Sequence, residues 1–269
     1  MEYRELLPAS SLRHLVRCYW FLTGDEIGSE PGEPALPDGS PELIINLADP
    51  FQAFGAGAAP AVQPLTMLVG QITGPLVVGP TGRVRLVAVR FEPHGAAVLC
   101  PNMAAITNHW MDVHGGALFD ATALRRALLE ALTDTASAAI LDALLQHVVS
   151  GASAPDGRVA HAVLAIRTAH GVVVQDAIAR DVGTTPRTLQ RLFASQVGIS
   201  PKLLARITRF QRVFRSWQQA PDTLARVAAE CGYFDQSHLV RDFRDFAGAA
   251  PAAFLSAQPE FTAFFTTGR

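Results

Sequence analysis

The side chains in this chain best suited to chemistry fall in two sets on short amphipathic segments. Arg187, Thr188, Gln190 and Arg191 follow a Thr-Pro start at 185–186, and Gln236, Ser237, His238, Val240 and Arg241 follow Asp235. Arginine can hold O6 and N7 of guanine together, and glutamine N6 and N7 of adenine, so both sets suit base edges in a major groove. Arg206 and Arg209 open a longer helical pattern between the sets and suit phosphate. A phosphate contact positions a protein without specifying a sequence. Which of these residues read bases is therefore open, and His238 equally suits a cap or a second layer.

Other chemistries find less support. No G-x-S-x-G run offers a nucleophile elbow. His94, His109 and His114 lack a tight ligand spacing, and His94 reads as a turn residue. Asp38, Glu42 and Glu92 lie near predicted strand ends, where solvation or pairing with Arg90 is the expectation. Cys18, Cys100 and Cys231 form neither a disulfide framework nor a metal knuckle. The expectation is no catalytic residue, no metal site and no cofactor. Trp20, Phe21, Phe51, Phe54 and Phe91 serve either a core or the wall of a ligand pocket.

The elements that must position these groups fall in two halves. The chain has 269 residues, 49% hydrophobic and 17% charged, with a net charge of −2. Such a composition supports real cores and about two domains. No apolar run approaches the roughly 18 residues a membrane span needs. The first residues lack a signal-peptide pattern, so a cytoplasmic location without a membrane partner is expected. Residues 1–155 hold eight arginines against fifteen carboxylates, a net of −7, whereas residues 156–258 reach +5. A basic half beside an acidic one hints at a polyanion partner.

Residues 42–47 and 83–91 read as strands, 53–60 as a Gly/Ala loop, and 120–132 and 136–149 as amphipathic helices. Leu124, Leu128 and Leu132, then Ile140, Leu144, Leu145 and Val148, are the expected apolar faces. Those helices pack on their own domain or form a dimer seam. A small polar stretch at 151–157 reads as a linker between a domain at 1–150 and another at 158–256, with 257–269 as a tail. Beyond the linker only helices are expected: 159–169, 175–182, 185–198, 200–219, 223–231, 235–248 and a short one from Pro251. Leu203, Ile207, Phe210, Phe214 and Trp217 give the long helix one buried seam.

This helical half repeats itself. Ala179 and Gly183 match Ala228 and Gly232 at an offset of 49, and Leu189, Arg191, Phe193, Gly198 and Pro201 match Leu239, Arg241, Phe243, Gly248 and Pro251 at 50. A short helix, a glycine turn, a capped second helix and a glycine stop make a helix-turn-helix. A tetratricopeptide-like array would need about three repeats to bury a continuous core.

The stretch GYFDQSHLVRDFRDFAGAAPAAF at 232–254 resembles the signature of the AraC/XylS transcriptional regulators, and VGTTPRTLQRLFASQVGISP at 182–201 resembles their first motif. The departures are Thr185, Phe234 lengthening the second turn, and Ala250. RCYWF, LPDGSPELIINL and VRFEPHGAAVL resemble, more loosely, the first domain of a subgroup of these regulators. The resemblance implies an α+β architecture: a mixed β/α, barrel-like sensor or dimerisation domain followed by an all-α domain with two helix-turn-helix motifs. It implies a bacterial sequence-specific regulator whose partners are double-stranded DNA, a small-molecule effector and a second copy of the chain. The alternatives are an enzyme, or a ligand-independent adaptor, fused to a helical DNA-binding module.

Overall fold

The computed structural model describes residues 1–25, 32–54, 60–114, 119–219 and 223–257. Most of the loop expected at 53–60 and nearly all of the 257–269 tail lie outside the described residues.

In the first half, β1 (Glu2–Leu6), β2 (Val16–Gly24), β4 (Glu42–Asn46), β7 (Thr66–Val69), β9 (Val84–Phe91) and β10 (Trp110–Asp112) form one antiparallel sheet, in the order β1-β2-β9-β4-β7-β10. A smaller antiparallel sheet has the order β3-β8-β5-β6, from β3 (Glu33–Ala35), β8 (Leu76–Pro80), β5 (Phe51–Phe54) and β6 (Ala61–Val62). The sheets face each other. Side chains alternate across a strand, so Cys18, Trp20 and Leu22 of β2 pack with Phe51 of the small sheet, while Tyr19 and Phe21 enter the opposite core. Both faces of the large sheet are thus covered, which explains why VRCYWFL reads as a nearly unbroken apolar run.

The outer face of that sheet carries α1 (Ala121–Glu130) and α2 (Asp134–Gly151). Asp120 caps α1 by accepting from the backbone N–H groups of Thr122 and Ala123, and Thr133 caps α2 through Ala136. Two expectations change here. Leu132 lies beyond the end of α1 and is 95% exposed. The buried face of α2 is Ala138, Leu141, Leu145 and Val148, with Ile140 and Leu144 only partly covered. The buried Tyr19 hydroxyl donates to Asp142 Oδ1 of this helix at 2.7 Å.

The second half is helical, as the sequence implies: α3 (Gly157–Thr168), α4 (Gln175–Asp181), α5 (Pro186–Gln196), α6 (Pro201–Gln219), α7 (Leu224–Glu230), α8 (Gln236–Ala247) and α9 (Pro251–Ala257). Its core runs along α6. The single seam expected there is wider: Leu204, Ile207, Phe210, Val213 and Phe214 are buried, and Leu203 and Trp217 only partly so. A helix covered by α3 on one side and by α7 and α8 on another needs apolar residues on more than one stripe.

Candidate nucleic-acid interface

Each motif is built by the same local devices. In the first, α4 ends at Gly183 with φ of 67°, and in the second α7 ends at Gly232 with φ of 77°. An L-residue with a side chain is strained there, and glycine is not. The turn that follows closes identically, with Thr184 N–H donating to Ala179 O at 2.9 Å and Tyr233 N–H to Ala228 O at 2.9 Å. Thr185 Oγ1 then accepts from Thr188 N–H to start α5, and Asp235 Oδ1 from His238 N–H at 2.7 Å to start α8. Leu189 and Phe193, and Leu239 and Phe243, are buried at matching positions. Phe234, the residue added to the second turn, is 93% exposed, so the insertion leaves the core untouched.

These devices fix which side chains face out. Arg187, Gln190 and Arg191 of α5 are exposed and Thr188 is half-buried. On α8, Gln236, Ser237 and Arg241 are exposed, and His238 and Val240 are half-buried. His238 stacks edge-on against Tyr233, with ring centroids 5.3 Å apart. The sequence signal for these positions was the spacing of the inward Leu and Phe residues.

Arg206 and Arg209 have more specific surroundings. Arg206 donates to Asp242 Oδ1 at 2.7 Å and to Asp245 Oδ2 at 2.6 Å, and lies over the Phe246 ring. Two carboxylates of α8 therefore satisfy its guanidinium, in place of the phosphate expected from sequence. Arg209 lies over the Tyr233 ring, and its Nε is buried without a protein partner. Lys202, Arg209, His238 and Arg241 line one groove between α6 and α8. Sequence reasoning missed Asp242, which is wholly buried. Its one signal was an acidic residue where the first motif has Leu192.

The sheet domain grips this module. Thr107 Oγ1 donates to Gly198 O at 2.7 Å, just after α5. Gln211 Nε2 of α6 donates to Pro37 O at 2.7 Å. Leu36 belongs to the core of the helical half. Arg167 of α3 pairs with Glu92, and the bulge in β2 sits beside Arg17, which lines the cleft between the halves.

Within the sheet domain, Glu42 and Arg90 are cross-strand neighbours of β4 and β9. Arg90 Nε donates to Glu42 Oε1 at 2.7 Å, and Asp38 and Glu5 approach the same guanidinium at 3.6 Å. Trp20 Nε1 also donates to Glu42. Burial raises the Glu42 carboxyl above the usual range, a shift that Arg90 opposes and Asp38 reinforces. The expected pairing with Arg90 thus holds for Asp38 and Glu42, whereas Glu92 pairs with Arg167. Burial pushes the Cys18 thiol up to about 12 and raises Cys231 as well, which leaves neither as a ready thiolate. Among the described residues, no group of three or more His, Cys, Asp or Glu side chains is placed to hold a metal ion. No helix among them is long and apolar enough to cross a membrane.

Residues 178–257 match a family described as "Helix-turn-helix domain", and residues 4–112 match one described as a domain of unknown function, DUF6597. No curated protein matches the sequence. Similar solved structures include ToxT from Vibrio cholerae O395, at 10% identity and a TM-score of 0.49, covering 93% of this chain and 99% of that one. Another is ToxT from Vibrio cholerae in a P21 crystal form, at 10% identity and 0.48, covering 88% and 98%. A third is wild-type ToxT of strain SCE256 bound to an unsaturated fatty acid, at 10% identity and 0.45, covering 87% and 94%. With two capped motifs and a helix-turn-helix match over residues 178–257, this part of the chain is an AraC-type helix-turn-helix domain, the DNA-binding module of a transcription regulator.

Proposed function

We propose that α5 and α8 enter successive major-groove segments of one DNA site, and that a small molecule between the two sheets biases how they do so. A second helix of this motif ordinarily lies in the major groove and reads with its first turns. Arg187, Thr188, Gln190 and Arg191 would serve one segment, and Gln236, Ser237, His238, Val240 and Arg241 the next. Arg209 and Lys202 in the adjoining groove would take phosphate, with Arg206 holding α8 in place. In this reading the sheet domain senses and does not catalyse.

The observation that carries the sensing half is the double duty of residues 36–40. Leu36, Asp38 and Ser40 line the cleft between the sheets. The same segment places Leu36 in the helical core, gives Pro37 O to Gln211, and brings Gly39 so close to Leu204 that an added Cβ would lie 2.9 Å from Leu204 Cδ1. A ligand can shift DNA binding only by favouring one of two states, and this segment touches both the ligand space and α6. Self-association through the α1–α2 hairpin belongs to the same reading, because Leu129 and Leu132 remain exposed there.

The test is the Leu36→Ala variant, assayed for DNA affinity by fluorescence anisotropy over a salt series. Affinity should change several-fold at every salt concentration, because the tie to α6 is cut while the phosphate contacts that set the salt slope remain. Unchanged affinity would remove residues 36–40 from the path.

A further inference from the structure

The cleft between the sheets has a chemical polarity that narrows its occupant, given that this is the sensing site. Its cavity volume is about 80 Å³, and it opens to solvent. Its middle is apolar, formed by Trp20, Ile44, Phe51, Val78 and Leu86. At one end stand Asp38 and Glu42, and at the other Asn46. Among the described residues that line it there is no Lys, Arg or His.

Two independent features mark this as a built site. The first is charge. Arg90, behind Glu42, is one guanidinium facing three carboxylates, those of Glu42, Asp38 and Glu5. Carboxylates outnumber cations on the cleft side: the one guanidinium, Arg90, lies over the Trp20 ring at 5.7 Å and is shared among all three. The second is Asn46. It is 1% exposed, and neither its Nδ2 nor its Oδ1 has a protein hydrogen-bond partner. Its backbone is fully engaged, with N–H donating to Leu65 O and the carbonyl accepting from Arg125. The side chain therefore points into the cleft by construction, since Glu42, Ile44 and Asn46 alternate onto that face of β4. Buried amides are ordinarily satisfied, so an orphan one calls for a partner that the protein does not itself supply.

We infer that the cleft takes an elongated, largely apolar organic cation, with its charged nitrogen at Asp38 and Glu42 and an uncharged polar group at Asn46. Four residues along a strand set the two ends about 13 Å apart. A carboxylate ligand is disfavoured at either end: at one it meets like charge, and at the other no cation. Ordering such a molecule against Asp38 also fixes the segment that holds Pro37 and Gly39 against α6.

Three probes of one length test this by titration calorimetry on the full chain: a straight eight-carbon α,ω-amino alcohol, the corresponding diol and the corresponding hydroxy acid. The amino alcohol should bind at least tenfold more tightly than the diol, and the hydroxy acid more weakly than either. Asp38→Asn keeps an oxygen for the Ser40 N–H and should bring the amino alcohol's advantage over the diol down to about twofold or less. Asn46→Leu should weaken the amino alcohol and diol together, by several-fold, without changing their ratio; circular dichroism confirms that both variants fold. A hydroxy acid binding as tightly as the amino alcohol, a preference that survives Asp38→Asn, or no binding by any probe would overturn the proposal. Binding in the expected order with no change in DNA affinity would instead overturn the sensing role alone.

Discussion

The two helix-turn-helix motifs are near copies in backbone and opposites in attachment. The first is held from outside: Gly198, at the end of α5, lies under Thr107 and Met103 of the sheet domain. The second is held from within, by Arg206 clamping Asp242 and Asp245 and by a cluster of Phe210, Phe214, Phe243, Phe246 and Phe254. Among the described residues, a Cβ at the matching stop, Gly248, would meet only Pro75. The sheet domain hydrogen-bonds to the end of α5 and to α6, whereas it meets the second motif through Gly74 and Pro75.

Deleting the core rings gives the largest expected effect. Phe193→Ala and Phe243→Ala each remove a fully buried ring and should cost about 3–5 kcal/mol in denaturant unfolding. Phe243 packs 5.0 Å from Phe210 and 5.6 Å from Phe214, and aromatic pairs add about 0.5–1.5 kcal/mol, so its loss should be the greater. Equal losses would mean the second motif has no stronger internal hold.

Arg206→Ala should cost about 2–4 kcal/mol, because it strands the Asp242 carboxylate in the core while Arg206 itself is partly solvated. Combining Arg206→Met with Asp242→Leu, which restores the apolar residue of the first copy, should recover most of that loss. DNA binding by the double variant should keep the wild-type salt slope; a slope lower by about one would return Arg206 to the phosphate role.

The glycine stops sharpen the contrast further. Both have positive φ, so alanine is strained at each. A Cβ on Gly198 would also lie 3.0 Å from Met103 O, whereas one on Gly248 meets only Pro75 at 3.4 Å. Gly198→Ala should cost about 2–3 kcal/mol and Gly248→Ala about 1. Thermal unfolding with the order reversed would contradict the external hold on the first motif. Smallest is Thr107→Val, which deletes one partly buried hydrogen bond worth about 1 kcal/mol. Hydrogen exchange should quicken at the end of α5 and stay unchanged in α8.

The motifs were legible because their determinants are local. Thr185, Asp235 and the glycine stops act within a few residues of themselves, and the repeat made each copy a check on the other. The face of α2 was misjudged because its partners are remote in sequence: Tyr19 of β2, for one, bonds Asp142 from 123 residues away. The Arg206 clamp was invisible for the same reason, since Asp242 and Asp245 are 36 and 39 residues away. Most strands of the sheet domain also escaped notice. With both sheet faces covered they lack alternation, and only register sets Glu42 opposite Arg90.

Binding-site selection from random duplex DNA tests the central claim most directly, with the wild-type chain, Gln190→Ala/Arg191→Ala and Arg241→Ala run in parallel. The wild type should select two base blocks about one helical turn, or roughly 34 Å, apart. The first variant should relax one block and the second the other, each at about 1–3 kcal/mol per lost bidentate contact. A single selected block, or both variants altering the same base pairs, would contradict two reading helices on one site.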